Sequence, residues 1–165
     1  MENVEFTYEC VTHSPEETRK LGRRLGKFLK PGAVVGLWGD LGAGKTVMIK
    51  GICEGLGVEI EDVTSPSFTV MNMYQGKVPV FHFDFYRVEG FEDVMEFGIE
   101  EYFYGEGISL IEWPERIEAY LPKDLIPIHI HRLKPEHRSG ENDRYISIGN
   151  LTPSVLSALK KEGGR

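Results

Sequence analysis

The chain has 165 residues, a formal net charge of −7 and two cysteines that form no C-x-x-C pair. This length suits one domain with a core of its own, and the acidic charge argues against independent binding to nucleic acid, which depends on cationic side chains. Because the N-terminal segment lacks a signal-peptide pattern and no stretch approaches the roughly 18 apolar residues of a membrane span, we expect a cytoplasmic protein with reduced cysteines and no membrane segment.

The first third of the chain predicts a strand, a helix, a second strand and a second helix. Apolar residues alternate over residues 4–10, which is the period of a half-buried strand. The sequence SPEE then begins a helix with Ser14 as its N-cap, and KPG at residues 30–32 ends it. The apolar run AVVGLW, residues 33–38, predicts a strand buried on both faces, and a helix over about residues 44–56 follows it.

The rest of the chain continues with strands and helices in mixed order. SFTVMNMY and VPVFHF flank QGK and predict a hairpin or two adjacent strands, and apolar spacing predicts a helix from about residue 91 to residue 103. ISLIEW, IPIHIH and RYISIG predict further strands, PEHRSGEND predicts an exposed loop over residues 135–143, and TPSVLSALKK predicts a closing helix. This mixture indicates an α/β sandwich whose central sheet is covered on both faces.

The segment between the second strand and the second helix carries the clearest chemistry. GDLGAGKT fits the phosphate-binding pattern G-x-x-x-x-G-K-S/T, in which glycines let successive backbone N–H groups point at phosphate oxygens. The lysine adds a mobile charge for the β- and γ-phosphates, and the hydroxyl after it is placed to ligate Mg²⁺. The sequence therefore predicts a nucleoside triphosphate site formed by Gly39, Asp40, Leu41, Gly42, Ala43, Gly44, Lys45 and Thr46.

Two carboxylates compete for the metal that such a site needs. Asp84 ends the apolar strand VFHFD, and Glu112 ends the apolar strand ISLIE. Ligands of open α/β sheets bind at the carboxyl ends of the strands, so either acid can bind Mg²⁺ or position the attacking water. Spacing alone does not rank them, and a solvated or capping carboxylate is the alternative for each.

The class of nucleotide-binding protein is narrowed by motifs that the sequence lacks. No N-K-x-D guanine-binding motif occurs, which argues against a GTPase, and no L-S-G-G-Q signature occurs, which argues against a transporter ATPase. A small-molecule kinase stays open, with Arg87, Arg132 and Arg138 as candidate phosphate clamps. A nucleotide-gated binding module that does not need hydrolysis also stays open.

Four stretches occur together in the order and approximate spacing of one known family. They are GDLGAGKT, SPSFT at residues 65–69, HFDFYR at residues 82–87 and IEWPER at residues 111–116. Over nearly its whole length the chain resembles the bacterial TsaE proteins, also called YjeE. The first stretch is common to many phosphate-binding loops, and the other three make the resemblance specific.

The resemblance implies a P-loop NTPase-like, three-layer fold with a mostly parallel central sheet, and one ATPase domain over residues 1–165. It also implies a Mg²⁺-dependent ATPase that supports threonylcarbamoylation of the tRNA adenosine beside the anticodon. The partner proteins would be TsaB and TsaD, and hydrolysis of ATP would be slow unless the protein is bound to them. Whether tRNA is contacted directly stays open.

Matching the residues position by position implies a role for each. Lys45 matches the lysine that binds phosphate, Thr46 and Glu112 match the metal ligands, and Trp113 matches a tryptophan that the family treats as functional. Asp84 then takes the other role, as an acid near the γ-phosphate that aligns water. The resemblance thus separates the two acids that spacing leaves equivalent.

Other positions carry weaker expectations. Val47 replaces a second threonine found in many relatives, which excludes a hydroxyl contact there, and Ser67 replaces the threonine of S-P-T-F/Y-T but keeps its hydroxyl. In the SPSFT stretch, a turn leading into a strand and a switch segment near the nucleotide both stay open. His82 lies in an apolar strand and is predicted to be a hydrogen-bonded core histidine rather than a catalytic one.

The first predicted helix carries a basic stripe. Arg19, Arg23 and Lys27 recur every four residues, which favours a solvated face. The alternative is a docking surface for an acidic partner or for a tRNA backbone. Residues 12–14, which precede this helix, are candidates for contact with adenine on the basis of their position alone.

Overall fold

The fold is described by a computed structural model over residues 4–66, 69–134, 136 and 140–163. Within these residues the strands are β1 (Phe6–Thr12), β2 (Val34–Trp38), β3 (Met71–Gln75), β4 (Pro79–Asp84), β5 (Ile108–Glu112), β6 (Ile126–Arg132) and β7 (Arg144–Gly149). The α-helices are α1 (Pro15–Phe28), α2 (Lys45–Gly55), α3 (Phe91–Met95), α4 (Ile99–Phe103) and α5 (Pro153–Gly163). Short 3₁₀ segments cover Ile60–Asp62 and Pro114–Tyr120. No helix in this part of the chain is long and apolar enough to cross a bilayer.

The strands form a seven-stranded sheet in the order β1-β7-β6-β2-β5-β4-β3. β6, β2, β5 and β4 pair in parallel, whereas β7, β1 and β3 join by antiparallel pairing, so five of the seven strands point the same way. The predicted hairpin is the β3/β4 pair, in which Gln75 lies opposite Pro79. The sheet is therefore mostly parallel, and the carboxyl ends of β2, β4 and β5 meet at one edge.

Two cores cover the two faces of this sheet. Val35 of β2 belongs to a core that includes Leu25 of α1 and Ile52 of α2. Its neighbour Val34 belongs to the other core, which includes residues of α3, α4 and the 3₁₀ segment at Pro114–Tyr120. Successive residues of a strand point to opposite faces, so the apolar run in β2 serves both cores. The predicted three-layer α/β sandwich is confirmed.

The prediction of one helix over residues 91–103 is wrong, because this stretch forms two short helices, α3 and α4. Gly98 lies between them with a φ of 60°, a left-handed conformation that interrupts the helical hydrogen bonding. Apolar spacing concealed the break, since Val94 and Phe103 on its two sides still pack into one core. Much of the loop predicted at residues 135–143 lies outside the described residues.

Helices α1 and α2 pack with their backbones in contact. A β-carbon on Gly51 of α2 would overlap the carbonyl oxygen of Arg19, and a β-carbon on Gly26 of α1 would overlap the carbonyl oxygen of Ile52. Each helix thus places a glycine where the backbone of the other comes closest. Because α2 begins at Lys45, this packing fixes the start of the phosphate-binding helix relative to α1.

We expect Gly51→Ala to lower the free energy of unfolding by about 1–3 kcal/mol, because the added methyl group forces the two helices apart. Urea denaturation would measure the change. Gly90→Ala is the matched control, since Gly90 has an extended φ of −148° and, its chain neighbours aside, no atom of the described residues lies within 4 Å of its β-carbon position. Equal effects of the two substitutions would contradict the packing described for α1 and α2.

The basic stripe predicted on α1 is partly neutralised within the chain. Arg19 Nε and Arg23 Nε each donate a hydrogen bond of 2.7 Å to the carboxylate of Glu54 on α2. Arg24 Nη1 donates to the carbonyl oxygen of Leu159 in α5 at 3.4 Å. These arginines therefore join α1 to α2 and to α5. Neither of the two interpretations of the sequence, a solvated face or a docking surface, included this role.

We expect Glu54→Gln to weaken the contact between α1 and α2 in a pH-dependent manner. Partial burial raises the pKa of Glu54, but the hydrogen bonds and charges of Arg19 and Arg23 outweigh it and hold that pKa below its usual value of 4.5. Such a carboxylate stabilises the fold above its usual pKa, and the contribution is lost as the pH falls through the folded-state pKa. Thermal unfolding should show the variant less stable than wild type at neutral pH, with the gap closing below about pH 4. A gap that persists unchanged in acid would contradict this account.

Candidate active site

The phosphate-binding loop connects β2 to α2 at the carboxyl edge of the sheet. Gly42 and Gly44 have φ angles of 77° and 110°, in the left-handed region that favours glycine. The backbone N–H of Ala43 donates to the carbonyl oxygen of Asp40 at 3.0 Å and closes a turn that contains Gly42. Gly44 has no side chain to cap α2, so the first amides of that helix stay available to an anion. The loop has the strand-turn-helix context that its pattern requires.

Lys45 lies beside this loop with its side chain largely buried. Its Nζ donates to the carbonyl oxygen of Gly39 at 2.6 Å and lies 3.5 Å from the centre of the Trp113 ring. Burial lowers the pKa of Lys45, and the charges of nearby acids, Glu112 first among them, oppose that change. A cation held by one carbonyl oxygen and one aromatic face can exchange both contacts for a phosphate group.

The side-chain oxygens of Thr46, Ser65 and Glu112 converge next to Lys45. Thr46 Oγ1 lies 3.2 Å from both Glu112 Oε1 and Ser65 Oγ, and Ser65 Oγ lies 3.4 Å from Glu112 Oε2. Mg²⁺ prefers such oxygens, and it is usually held by one or two protein ligands together with water and phosphate oxygens. The oxygens of Thr46, Ser65 and Glu112 therefore fit a Mg²⁺ that is also bound by phosphate oxygens. Among the described residues, no cluster of three or more His, Cys, Asp or Glu side chains suits a metal.

Asp84 ends β4 directly opposite Glu112 of β5. Its Oδ1 accepts a hydrogen bond of 2.9 Å from the backbone N–H of Tyr86. Burial raises the pKa of Asp84 and the charge of Glu112 adds to the rise, while the Tyr86 hydrogen bond, His82 and Lys45 oppose it. A partly desolvated carboxylate with a raised pKa is suited to accept a hydrogen bond or a proton from water.

These side chains line one cavity of about 460 Å³, a size typical of small-molecule sites. The residues of its wall that the sequence singled out as site residues are Leu41, Gly42, Gly44, Lys45, Thr46, Asp84, Glu112 and Trp113. Arg87, a candidate phosphate clamp, also lines the cavity, as do Ser65 and Tyr86. The sequence analysis gave Tyr86 no role, although Tyr86 belongs to the HFDFYR stretch, which could have pointed to it. Ser67 lies outside the described residues.

Two arginines from the neighbouring strands hold the outer side of the loop. Arg132 Nη2 donates to the carbonyl oxygen of Gly42 at 3.0 Å, and Arg144 Nε donates to that of Ala43 at 2.8 Å. The sequence suggested Arg132 as a phosphate clamp, whereas in the structure it binds the loop backbone. Arg144 was missed, because only the pairing of β7 beside β6 brings it near the loop. Arg138 lies outside the described residues.

Residues 12–14 approach the loop through the pairing of β1 with β7. His13 Nδ1 lies 3.0 Å from Asp143 Oδ1, next to Arg144 in the chain. The Thr12 hydroxyl lies 2.7 Å from the Thr18 hydroxyl, so it is already hydrogen-bonded to a residue in the first turn of α1. The contact of these residues with adenine stays a prediction.

We expect nucleotide binding to change the fluorescence of Trp113. Its ring contacts Lys45 Nζ and lies 4.9 Å from the Tyr86 ring, so drawing Nζ toward a phosphate removes a cation from the ring face. The other tryptophan, Trp38, packs on His129 instead. A titration with a non-hydrolysable ATP analogue should keep its signal in Trp38→Phe and lose it in Trp113→Phe. A signal that survives in Trp113→Phe would contradict the assignment.

Comparisons with known proteins agree with the resemblance read from the sequence. The family model described as threonylcarbamoyl adenosine biosynthesis protein TsaE matches residues 12–140. TsaE of Treponema pallidum is 40% identical over 129 residues, covering 78% of this chain and 95% of that protein. TsaE of Bacillus subtilis is 41% identical over 154 residues, covering 91% and 92%. The crystal structure of Bacillus subtilis YdiB has a TM-score of 0.75 at 33% identity, over 99% of this chain and 100% of that chain. The chain therefore belongs to the TsaE family.

Proposed function

We propose that this chain is a Mg²⁺-dependent ATPase that supports threonylcarbamoylation of the tRNA adenosine beside the anticodon, acting with TsaB and TsaD. The observation that carries the proposal is that Lys45, Thr46, Asp84 and Glu112 line one cavity at the carboxyl edge of the sheet. The relatives' name, tRNA threonylcarbamoyladenosine biosynthesis protein TsaE, supports the pathway. The glycine loop supplies a phosphate site, and the oxygens beside it supply a metal site.

The proposed hydrolysis follows from the positions of these side chains. Lys45 exchanges its contacts with Gly39 and Trp113 for the β- and γ-phosphate oxygens, where its charge stabilises the transition state. Thr46 and Glu112 hold Mg²⁺, which when bound supplies positive charge to the phosphates. Asp84 accepts a hydrogen bond from the attacking water and directs the oxygen of that water toward the γ-phosphorus.

Hydrolysis is expected to be slow in the isolated protein and faster on the TsaB–TsaD pair. The cavity opens to solvent beside Leu41 and Tyr86, which are 73% and 45% exposed. Large apolar side chains at the rim of a site favour contact with another protein. Covering them would exclude water from the site, which strengthens the electrostatic interactions within it.

Steady-state phosphate release by the purified chain tests this proposal. The chain is measured alone and with the TsaB–TsaD pair of its own organism, with ATP and GTP in parallel and with Mg²⁺ removed by a chelator. The proposal predicts stimulation by the pair that is specific to ATP and is lost without Mg²⁺. A rate unaffected by the pair, but raised by a small metabolite that becomes phosphorylated, would instead identify a small-molecule kinase.

A further inference from the structure

A buried chain of hydrogen bonds connects Glu112 to the backbone of Thr64. His82 Nε2 lies 2.8 Å from Glu112 Oε2, and His82 Nδ1 lies 3.0 Å from the hydroxyl of Tyr74. That hydroxyl lies 2.8 Å from the carbonyl oxygen of Thr64 and 3.2 Å from its backbone nitrogen. Glu112, His82 and Tyr74 are 4%, 0% and 5% exposed. Glu112, His82, Tyr74 and Thr64 form what we call the Glu112–Thr64 network.

His82 is fully buried, so both of its ring nitrogens need hydrogen-bond partners within the protein. Burying an imidazole costs free energy unless its nitrogens find partners, and here both nitrogens have one. The predicted core histidine is thus confirmed, but its partners could not be read from the sequence. His82 lies opposite Leu110 of β5 and opposite Asn72 of β3, so strand pairing places it between Glu112 and Tyr74.

The contact with His82 decides which way the carboxylate of Glu112 faces. A carboxylate can rotate about its last bond, and a hydrogen bond to one oxygen stops that rotation. His82 holds Oε2 at 2.8 Å, and Oε1 then faces the Thr46 hydroxyl at 3.2 Å. Because a metal-binding carboxylate can only accept hydrogen bonds, the donor in this contact is the Nε2–H group of His82.

The network also returns to the site through the backbone. Ser65 follows Thr64, and its hydroxyl lies 3.4 Å from Glu112 Oε2 and 3.2 Å from Thr46 Oγ1. The contacts therefore close a ring that runs from Glu112 through His82, Tyr74 and Thr64 to Ser65 and back to Glu112. In this ring the orientation of the carboxylate and the position of the Thr64–Ser65 backbone depend on each other.

We propose that His82 is a positioning residue for the Mg²⁺ site, which orients Glu112 toward Thr46, and that Tyr74 anchors His82 to the Thr64 backbone. This inference rests on the proposed function, in which Glu112 binds Mg²⁺. Partners that orient a metal ligand typically affect metal affinity by about 10–100-fold when they are removed. His82 itself does not touch nucleotide or metal, so its effect passes through Glu112.

Two substitutions at His82 separate positioning from a general structural role. In His82→Gln the side-chain amide occupies the place of Nε2 and can still reach Glu112, whereas in His82→Asn it occupies the place of Nδ1 and reaches only Tyr74. Tyr74→Phe keeps Glu112 and His82 in contact but removes the bonds to Thr64. Thr18→Val is the matched control, because it removes a buried 2.7 Å hydrogen bond, to Thr12, that is not part of the Glu112–Thr64 network.

The first readout is the Mg²⁺ concentration at which binding of a non-hydrolysable ATP analogue is half-maximal, measured by calorimetry. The affinity for the same analogue is also measured in EDTA, without Mg²⁺. His82→Asn should raise that concentration about tenfold or more, while His82→Gln and Thr18→Val stay within about threefold of wild type. Affinity in EDTA should change little in every variant. The second readout is amide hydrogen exchange, in which Tyr74→Phe should speed exchange at Thr64.

The results distinguish failure of this inference from failure of the proposed function. If the wild-type protein binds the ATP analogue equally well with and without Mg²⁺, both the positioning role of His82 and the proposed function are overturned. If binding by the wild type depends on Mg²⁺ but His82→Asn and His82→Gln require the same Mg²⁺ concentration, only the positioning role is overturned. If His82→Asn does not fold, Tyr74→Phe decides the anchoring step, and unchanged exchange at Thr64 with an unchanged Mg²⁺ requirement would overturn it.

Discussion

Lys45→Ala is expected to weaken ATP binding by about 100-fold or more. Lys45 is 5% exposed, and its ammonium lies beside the phosphate-binding loop. Loss of a hydrogen bond between charged partners in such a place costs up to about 3 kcal/mol, which corresponds to more than a hundredfold in affinity. Isothermal titration with a non-hydrolysable ATP analogue would measure the change.

Lys50→Ala provides the control for this substitution. Lys50 lies on the same helix, α2, but does not line the cavity of the site. Its replacement removes one positive charge at a similar cost in helix propensity, and we expect the affinity for the analogue to change by less than about threefold. Similar losses in both variants would show that the net charge of α2, rather than the position of Lys45, governs binding.

Asp84→Asn is expected to lower kcat for ATP hydrolysis by about 100-fold to 10,000-fold, while ATP affinity stays within about threefold of wild type. The amide oxygen of asparagine can still accept the hydrogen bond from the Tyr86 N–H, so the turn after β4 is preserved. What the variant loses is the negative charge that orients water and draws its proton. Single-turnover phosphate release and equilibrium binding of the analogue separate the two quantities.

Asp93→Asn serves as the matched control, since Asp93 is an exposed acid of α3 outside the cavity wall. It should leave both kcat and affinity near the wild-type values. Equal loss of binding and of turnover in Asp84→Asn would contradict the role of Asp84 as a water-orienting acid. It would instead place that carboxylate among the groups that hold the nucleotide or its metal.

Local sequence patterns predicted the parts of the fold that depend on neighbouring residues. The run AVVGLW, the glycines after it and the helix that begins at Lys45 follow one another within a short segment, so hydrophobic period and turn chemistry were sufficient. Gly98 shows where this approach fails. The apolar spacing around it suits one helix, and only the left-handed conformation of that residue divides the stretch into two.

Contacts made across the sheet could not be predicted from one sequence. Asp84 and Glu112 both end apolar strands, and spacing left their roles open. In the structure Glu112 reaches Thr46, whereas Asp84 turns to the backbone of Tyr86. The link from Glu112 through His82 to Tyr74 depends in the same way on strand register, which a sequence pattern does not specify.

Contacts between helices were hidden for a related reason. The arginines at positions 19 and 23 repeat at helical spacing, which describes any solvated helix face. Their shared partner, Glu54, is supplied by α2, and the glycines that bring α1 and α2 together set the distance. Charge patterns along one helix therefore give no information about a counter-charge on another.

The proposed function requires that ATP hydrolysis by this chain supports tRNA modification by TsaB and TsaD, and we expect this hydrolysis to allow repeated modification. This expectation is tested most directly by counting the threonylcarbamoylated tRNAs formed per TsaD in a reconstituted reaction with TsaB, comparing wild type with Asp84→Asn. The account predicts many products per TsaD with wild type and no more than about one with Asp84→Asn, although the variant still binds ATP. Equal, repeated modification with both proteins would contradict the account and identify a nucleotide-gated binding module.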